Sequence, residues 1–507
     1  MIPFIEEYVS LQAFAIISLG LLSTPLTGFL AYCLYLFYVH CQYAHIPGPK
    51  RDSFFAGNVP SIQYEINVKK RGICELWSEW YNQFGGAHIF WVYHVPVLVL
   101  GHPDDVKKVL VTWNLPKASR LYKTISYCYG ERFAGEGVLT ELDHEVWKRK
   151  RALLNHAFHR KYLRNLMQAF NESSNEFLKR IGSLADGKTE VRMADEFAKV
   201  TLDVIGKVGF NIDVNSIGDE NSPFPSAITT ALDGLQKGMR NPFWKFKFWT
   251  FSYQEKVKSA IRFLRKFGQS VIMERNTAII EGLESPKDIL AHILQMGKEN
   301  ADYTLENMTD DFITFFVAGQ ETTSNQLSFT LMEILGDSSI ENKICNEVDD
   351  VLGSRQYVEY QDLGKLEYVG MTLKEGLRLH PPITGTQRIL PFRETLGGYN
   401  IPANTPVSVV YQITHCLEEF WENPLVFDPE RFSSKNKSAI STTSFLPFCT
   451  GPRTCIGKTL AEFEAKLLLA RLLQEFKLKL VPGQTKQILE QLTVRPRDGV
   501  ICTITRR

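Results

Sequence analysis

The ten-residue segment 448–457, with the sequence FCTGPRTCIG, constrains this chain more than any other part of its sequence. Glycines on both sides of Cys455 let the backbone turn tightly, so that N–H groups can point at the sulfur. Residues 460–478 are predicted to form a helix whose positive N-terminal end faces that sulfur. The pattern therefore predicts a metal-ligating thiolate. The alternative is a buried structural thiol, the usual state of a free cysteine.

The overall composition is that of an ordinary globular protein and excludes several classes of function. Of the 507 residues, 44% are hydrophobic and 22% are charged, which is enough for a large core. The formal net charge is +1, so no global field attracts nucleic acid. The nine cysteines are scattered and include no C-x-x-C pair, which argues against a disulfide framework and against a tetrahedral zinc site.

The N-terminal region contains an apolar run that is long enough to cross a membrane. No charged residue occurs from Leu11 to Val39, and about 20 apolar residues suffice for a transmembrane helix. Acidic residues precede the run and basic residues follow it, which places the rest of the chain in the cytosol. We therefore expect a membrane anchor over residues 1–45, with a transmembrane helix at about 11–39, and one domain over residues 46–507. The alternative is a buried core helix.

The remainder of the chain is predicted to be mainly α with small β-sheets. Residues 89–100 are rich in Val, Phe and Trp and predict paired strands. After Glu141 most of the sequence has helical periodicity, and residues 304–335 predict one long helix that contains the pair Asp310-Asp311. Short strand-like segments return at residues 405–414 and 493–504.

Residues 241–251, with the sequence NPFWKFKFWTF, interleave aromatic side chains with lysines. This composition suits a membrane interface, at which Phe243, Trp244, Phe248 and Trp249 would face lipid. The alternative is a connection between two helices whose aromatic side chains pack inward. The sequence leaves both interpretations open.

Segment 448–457 also fits the pattern F-x-x-G-x-R-x-C-x-G, by which the chain resembles the cytochrome P-450 superfamily. The resemblance implies the cytochrome P-450 fold, here preceded by one transmembrane helix, and haem b as the cofactor. Cys455 would be the axial ligand of the iron. The resemblance further implies that the haem is contacted by this loop, by a W-x-x-x-R helix and by a later arginine, the residues being Phe448, Arg453, Gly457, Trp147, Arg151 and Arg388.

A second motif of the superfamily lies in the predicted long helix. Residues 318–322, with the sequence AGQET, match the oxygen-activation pattern A/G-G-x-D/E-T. The resemblance implies that Ala318 and Gly319 let the helix backbone approach the haem. It implies that Glu321 and Thr322 are a catalytic pair of an acid and an alcohol, which relays protons to bound dioxygen. Such a pair favours monooxygenation over peroxide isomerisation.

A third motif is structural. Glu375 and Arg378 match E-x-x-R, and residues three positions apart share a helix face. Arg431 is implied to be the third member of this network, which lies behind the haem and is not catalytic.

Stretches outside these motifs resemble members of the superfamily that hydroxylate sterol side chains in the endoplasmic reticulum. The resemblance implies pocket residues Tyr122, Ile125, Leu139, Ala318, Gly385, Thr386 and Thr493. Thr384, Gln387 and Ala134 depart from that pattern, which has bulky aromatic residues at such positions. We therefore expect a wider and more polar pocket.

The resemblance also implies partners and a location. Electrons would come from NADPH through the flavoprotein NADPH-cytochrome P-450 reductase, with a cytochrome b-type protein as a further donor. A basic patch of Lys148, Arg149, Lys150 and Lys458 would dock the reductase. The protein would be a single-pass protein of the endoplasmic reticulum membrane, facing the cytosol, with lipid and a small lipophilic substrate as its other partners.

Two other functions stay open at this point. One is a fatty-acid or xenobiotic hydroxylase of the same fold. The other is a haem- or sterol-binding protein without catalytic activity, against which the pair Glu321 and Thr322 argues.

Overall fold

Helices make up most of residues 26–240, 243–436 and 440–507, which are the residues that the computed structural model describes. We number them α1–α18 in chain order, and α1 comprises the helical residues 26–42. The others are α2 (Val59–Asn67), α3 (Ile73–Phe84), α4 (Pro103–Lys107), α5 (Ser119–Ser126), α6 (His144–Leu154), α7 (Arg160–Arg164), α8 (Met167–Ser183), α9 (Met193–Val204), α10 (Pro223–Arg240), α11 (Phe251–Ile280), α12 (Ile289–Glu299), α13 (Leu305–Ile334), α14 (Ser338–Leu352), α15 (Asp362–Lys365), α16 (Glu367–Leu379), α17 (Tyr411–His415) and α18 (Lys458–Glu475).

The strands are short: β1 (Ala87–Val92), β2 (Val95–Leu100), β3 (Tyr127–Cys128), β4 (Glu131–Arg132), β5 (Val191–Arg192), β6 (Gly385–Leu390), β7 (Glu394–Leu396), β8 (Tyr399–Ile401), β9 (Thr405–Val410), β10 (Phe476–Leu480), β11 (Ile488–Glu490), β12 (Val494–Pro496) and β13 (Ile501–Arg506). The largest sheet has the order β1-β2-β9-β6, in which β2 and β9 run parallel and the other neighbours antiparallel. A second sheet has the order β10-β13-β5, and β11 pairs with β12 in a hairpin.

The predicted class, mainly α with small β-sheets, is confirmed. The long helix is α13, and residues 89–100 lie in the β1–β2 hairpin. Two element boundaries differ from those predicted from the sequence. The helix predicted over residues 460–478 ends at Glu475, because the alternating sequence FKLKL of residues 476–480 pairs as strand β10. The strand predicted over residues 405–414 ends at Val410, where α17 begins.

Helix α13 is the centre of the fold. It begins with a capping box, in which Thr304 and Asn307 satisfy each other's backbone N–H groups. α9, α11, α16 and α18 all pack against it. The side chains of a helix surrounded in this way have to be apolar or find hydrogen-bond partners. Buried phenylalanines at positions 312, 315, 316 and 329 supply the apolar contacts.

The acidic pair near the start of α13 is fully buried, and its two carboxylates have different partners: arginines for Asp310, and a backbone N–H and a hydroxyl for Asp311. Asp310 accepts bonds from Arg132 (2.6 and 3.0 Å) and Arg265 (2.8 Å). Asp311 accepts the N–H of Val138 (2.6 Å). These contacts fasten both α11 and the loop before α6 to the central helix, so the pair is a structural junction.

The N-terminal helix rests on the domain. His40 of α1 contacts Trp91 of β1 edge to face, with 4.7 Å between ring centroids. A Cβ at Gly48 would lie 1.9 Å from the carbonyl oxygen of Ile89, so the chain can run this close to β1 only with glycine there. Of the predicted transmembrane run, residues 11–25 lie outside the described residues. Among the helices of the described ranges, none combines the length and apolar character that a membrane crossing requires, and the anchor stays a prediction.

Candidate functional site

The loop before α18 is a tight closed turn. The N–H of Cys455 donates to the carbonyl oxygen of Phe448 (2.8 Å), and the Thr454 hydroxyl donates to the same oxygen (3.2 Å). Gly451 has a φ of +73°, and a Cβ there would lie 2.2 Å from the carbonyl oxygen of Leu110, so this position requires glycine. α18 begins directly after the loop, which puts its positive end next to the cysteine.

The Cys455 thiol lies deep in the protein and is accessible at the same time. Burial raises its pKa, against which the N–H of Gly457 and the guanidinium of Arg151 act. A side chain that is surrounded by protein and still accessible borders an internal cavity. A cation that binds there stabilises the thiolate and so replaces the proton.

Helix α13 has one small accessible face. From residue 309 to residue 334 it is buried except at Ala318, Gly319 and Thr322. Ala318 and Thr322 lie one turn apart on the same face, and the Thr322 hydroxyl donates to the Ala318 carbonyl oxygen (2.8 Å). Gly319 meets the chain after α9: a Cβ there would lie 2.7 Å from Ile205, so packing requires this glycine. Ala318 and Thr322 line an internal cavity.

Aromatic contacts place that cavity next to Cys455. A Cβ at Gly457 would lie 3.9 Å from both Sγ of Cys455 and the ring of Phe158. That ring packs against Phe315, with 5.2 Å between the ring centroids. Phe315 precedes Ala318 by three residues, and residues at this spacing share a helix face. The thiol and the accessible face of α13 therefore border the same interior space.

Four cations, Lys117, Arg151, Arg388 and Arg453, gather beside this space, and we call them the cation cluster. Lys117 pairs with Arg388 in an isolated β-bridge. Burial and the guanidiniums of Arg453, Arg388 and Arg151 hold the pKa of the Lys117 amine well below its ordinary value. Burial and the neighbouring Arg388 lower the pKa of Arg453 to about 10. Each cation of the cluster thus raises the free energy of the others.

The cation cluster fits the carboxylates of a haem. Arg388 is 2% exposed, and within the described residues its Nε and Nη1 have no hydrogen-bond partner. Buried cationic donors of this kind require an anionic acceptor. The two propionates of a haem would supply such acceptors, and the Cys455 thiol would supply the ligand that iron needs. The residues present therefore fit the group.

Lys117 is a member of the cluster that the sequence did not point to. It is a single lysine between Pro116 and Ala118, and no local pattern distinguishes it from a surface lysine. Its position follows from the bridge with Arg388, which lies far away in sequence.

Trp147 and Arg453 form one unit. The Arg453 guanidinium lies over the ring of buried Trp147, with 3.7 Å to the ring centroid. Arg453 also donates to the carbonyl oxygen of Glu141 (3.3 Å). One turn further along α6, Arg151 donates to the Asn155 side chain (2.9 Å). Trp147 therefore fixes the direction of the Arg453 guanidinium.

Glu321 and Thr322 are adjacent in sequence but point to different partners. The Thr322 hydroxyl faces its own helix, as described. The buried Glu321 carboxylate accepts from the hydroxyl of Thr493 (2.9 Å) and from the Asn325 amide (3.1 Å). The structure brings the acid together with Thr493, a residue expected in the pocket, and not with the alcohol beside it.

The E-x-x-R residues form a buried network. Glu375 and Arg378 are both fully buried and make two bonds of 2.7 Å. Arg431 reaches the same carboxylate (3.3 Å), as does the N–H of Asp428 (2.9 Å). Arg378 also donates to the carbonyl oxygens of the segment after α17, residues 415, 424 and 426. The network thus fastens that segment to α16.

The other expected pocket residues lie in three places. Tyr122 of α5 and Thr386 of β6 share a hydrogen bond between their hydroxyls (2.8 Å). Leu139, 41% exposed, belongs to the loop before α6, and its carbonyl oxygen accepts from Lys117. Ile125 is buried in α5, and Gly385 begins β6 directly against Val409.

Two expectations about polar residues are wrong. Gln387 does not make the pocket more polar: successive strand residues point to opposite faces, so it faces away from Thr386 and Arg388, and it donates to Ser408 (3.0 Å). Lys150 is not part of a surface patch, because it is 6% exposed and donates to the Glu136 carbonyl oxygen and to Glu141. Lys148, Arg149 and Lys458 are exposed.

Comparisons with known proteins identify the family. The model of the family described as cytochrome P450 matches residues 47–503. Cytochrome P450 4d2 of Drosophila melanogaster is 26% identical over 475 residues, which cover 90% of this chain and 92% of that protein. Cytochrome P450 3A18 of Rattus norvegicus is 27% identical, covering 92% and 94%. A protein of Mesocricetus auratus named lithocholate 6-beta-hydroxylase is 28% identical, covering 94% and 96%. The chain therefore belongs to the cytochrome P450 family, whose members are haem-dependent monooxygenases that use O2 and electrons from a reductase.

Proposed function

We propose that this protein hydroxylates the side chain of a sterol, in the manner of a cholesterol 24-hydroxylase, with Cys455 as the axial haem ligand. The observation that carries the proposal is the interior space bordered by the Cys455 thiol, the cation cluster and the accessible face of α13. When bound, the haem supplies the iron that activates O2 and oxidises a C–H bond. The chain supplies the binding, the orientation and the protons.

The residues around Cys455 would hold the haem. Cys455 would ligate the iron through its sulfur, which the N–H of Gly457 stabilises as a thiolate. The four cations would bind the propionates, and Trp147 orients Arg453 among them. Ala318 leaves room in the interior space because its side chain is a single methyl group.

Thr322 and Glu321 hold the protons. The Thr322 hydroxyl borders the interior space and can hold a proton at its Oγ. Glu321, the preceding residue of α13, points towards the β11–β12 hairpin, where Thr493 donates to its carboxylate. A water molecule can join the two groups, since a proton relay tolerates one intervening water.

We propose that Tyr122, Ile125, Leu139 and Thr386 line the part of the space that receives the substrate, a lining that suits a sterol. Leu139 and Ile125 would offer apolar surface, and the hydroxyls of Tyr122 and Thr386, which bond each other, would offer one polar contact. A sterol presents the same combination of a large apolar body and a single hydroxyl. The relative named lithocholate 6-beta-hydroxylase acts on a steroid by its name, which supports this class. A fatty acid brings a carboxylate, and the cations beside the space are already assigned to the propionates.

The aromatic segment after α10 supports a location at a membrane. Phe246, Phe248 and Trp249 are 77%, 71% and 68% exposed. Trp244 is the exception, because it packs against Tyr129 with 5.3 Å between ring centroids. Aromatic side chains interleaved with lysines favour the lipid interface. We propose that this segment and an N-terminal anchor hold the protein on the endoplasmic reticulum, facing the cytosol.

Exposed Lys148 and Arg149 lie in the middle of α6, the helix that carries Trp147 and Arg151. Exposed Lys458 is the first residue of α18, three residues after Cys455. We propose that they dock NADPH-cytochrome P-450 reductase, with a cytochrome b-type protein as a further donor. Charge complementarity of this kind mainly accelerates association.

Replacing the proposed ligand tests the core of the proposal. In Cys455→Ala we expect loss of the red-shifted absorption band that the reduced carbon monoxide complex of a haem-thiolate protein shows. Cys449→Ala, in the same loop, is the matched control and should keep the band. A band that survives in Cys455→Ala would show that another residue is the ligand.

Removing one cation of the cluster should weaken haem binding but stabilise the protein without haem. Arg388→Met should release haem to an excess of acceptor protein about tenfold to a hundredfold faster, since a hydrogen bond to a charged group contributes about 1.5–3 kcal/mol. The same variant without haem should unfold at higher urea concentration, because one repelling charge is gone. Arg393→Met, an exposed arginine nearby, should change neither quantity. Equal rates of haem release from both variants would show that Arg388 does not bind the haem.

A panel of cholesterol, lithocholate and lauric acid, with NADPH and the reductase, tests the substrate class. We expect a hydroxylated side-chain product from cholesterol and little product from lauric acid. Faster conversion of lauric acid would show that the substrate is a fatty acid and not a sterol. If no compound were converted, the result would favour a binding protein without catalytic activity.

Vesicle sedimentation tests the membrane segment. In a chain that begins at residue 46, Phe246, Phe248 and Trp249 together replaced by Ser should lower binding to phospholipid vesicles by about tenfold or more. The matched control replaces Phe392, Leu425 and Val426, which are exposed elsewhere. Equal binding of both variants would contradict the proposal.

A further inference from the structure

The Glu321 carboxyl group is held by a segment outside its own helix. Thr493 lies in the turn of the β11–β12 hairpin, and its hydroxyl donates to Oε1 of Glu321 (2.9 Å). Asn325, one helical turn after Glu321, donates to the same oxygen (3.1 Å) and also contacts the Thr493 hydroxyl (3.3 Å). All three side chains are buried. They form a closed triangle of hydrogen bonds around one carboxylate oxygen.

The hairpin presents the Thr493 hydroxyl from a fixed backbone. The N–H of Gln491 donates to the carbonyl oxygen of Thr493 (2.8 Å), which closes the turn. The N–H of Val494 donates to the carbonyl oxygen of Pro382 (2.9 Å), which ties the turn to the segment after α16. Glu490 accepts the N–H of Ile73 in α3 (3.0 Å). The backbone that carries the hydroxyl is therefore held by α3 and by the segment after α16, in addition to its packing on α13.

The two partners of Glu321 differ in chemistry. An amide N–H of Asn325 can only donate, so it serves the carboxylate form. A hydroxyl both donates and accepts. Thr493 can donate to Oε1 while that oxygen is unprotonated, including when the proton lies on Oε2, and it can accept from the O–H when the proton lies on Oε1. It is thus the partner that can hold Glu321 in both protonation states.

We propose that Thr493 is a positioning residue for proton delivery, which holds the Glu321 carboxyl group in one orientation before and after it takes up a proton. The proposal rests on the proposed role of Glu321. It assigns Thr493 to the acid and not to contact with the substrate. Both hydrogen bonds to the carboxylate reach Oε1, which leaves Oε2 as the oxygen that can take up the proton and pass it on.

Infrared spectroscopy tests the positioning without any turnover. The carboxylate bands of Glu321 are identified by their loss in Glu321→Gln. We expect Thr493→Val, which removes the hydroxyl at equal size, to shift these bands. Thr493→Ser keeps the hydroxyl and should leave them in place. Unshifted bands in Thr493→Val would overturn the proposal.

The second measurement is the share of the electrons from NADPH that ends in hydroxylated product and not in hydrogen peroxide. The substrate is the compound of the panel that the protein converts fastest. Thr493→Val should lower this share about fivefold to tenfold, the effect of about one hydrogen bond, and Thr493→Ser should restore it. Thr414→Val loses a buried hydroxyl contact to Gly101 away from the site (2.7 Å) and is the control for a purely structural loss.

The double variant separates the two levels of the proposal. In the Glu321→Gln background, Thr493→Val should cause no further loss, because the positioned group is already gone. If Glu321→Gln alone leaves the electron share unchanged, the proposed role of Glu321 is contradicted, and the role of Thr493 is contradicted with it. If Glu321→Gln lowers the share and Thr493→Val does not, the positioning role alone is overturned.

Discussion

The accumulation of uncompensated positive charge beside an interior thiol is the constraint on which the site depends. Lys117, Arg388 and Arg453 are buried or partly buried next to one another, and Arg388 carries donors without partners in the described residues. Such a cluster is unfavourable by itself, since buried cations desolvate and repel. Its position beside Cys455 suits the proposed cofactor, because a haem would bring two carboxylates to the cations and an iron cation to the thiol. The same atoms that destabilise the protein alone would then stabilise it with haem.

The surrounding fold keeps this arrangement rigid. Helix α13 is buried along nearly its whole length, and Asp310 fastens it to two other elements through Arg132 and Arg265. The Glu375–Arg378 pair fixes the segment after α17 from the opposite side. Breaking a buried pair by removing one partner costs about 3–5 kcal/mol. The buried carboxylates of Asp310 and Glu375 therefore lie where segments distant in sequence have to keep a fixed relation around the site.

The parts of the site that could be predicted from sequence are those that a local pattern encodes. The Cys455 loop, the E-x-x-R pair and the long helix each need only neighbouring residues, and the structure has all three. Lys117 and Thr493 depend on contacts between distant segments, so no local pattern gives their partners. The predictions about Gln387 and Lys150 were wrong for a related reason. The direction of Gln387 follows from the register of β6, and the burial of Lys150 follows from how α6 packs on the preceding loop.

The cation cluster also has a consequence for the amount of protein in a cell. A ligand that binds only the folded state stabilises it by mass action. A chain that has not received haem keeps its repelling charges and opens more often, and transiently open chains are the ones that proteases remove. The abundance of this protein should therefore follow the haem supply of the cell, since the cluster that recognises the cofactor also makes survival of the chain conditional on receiving it.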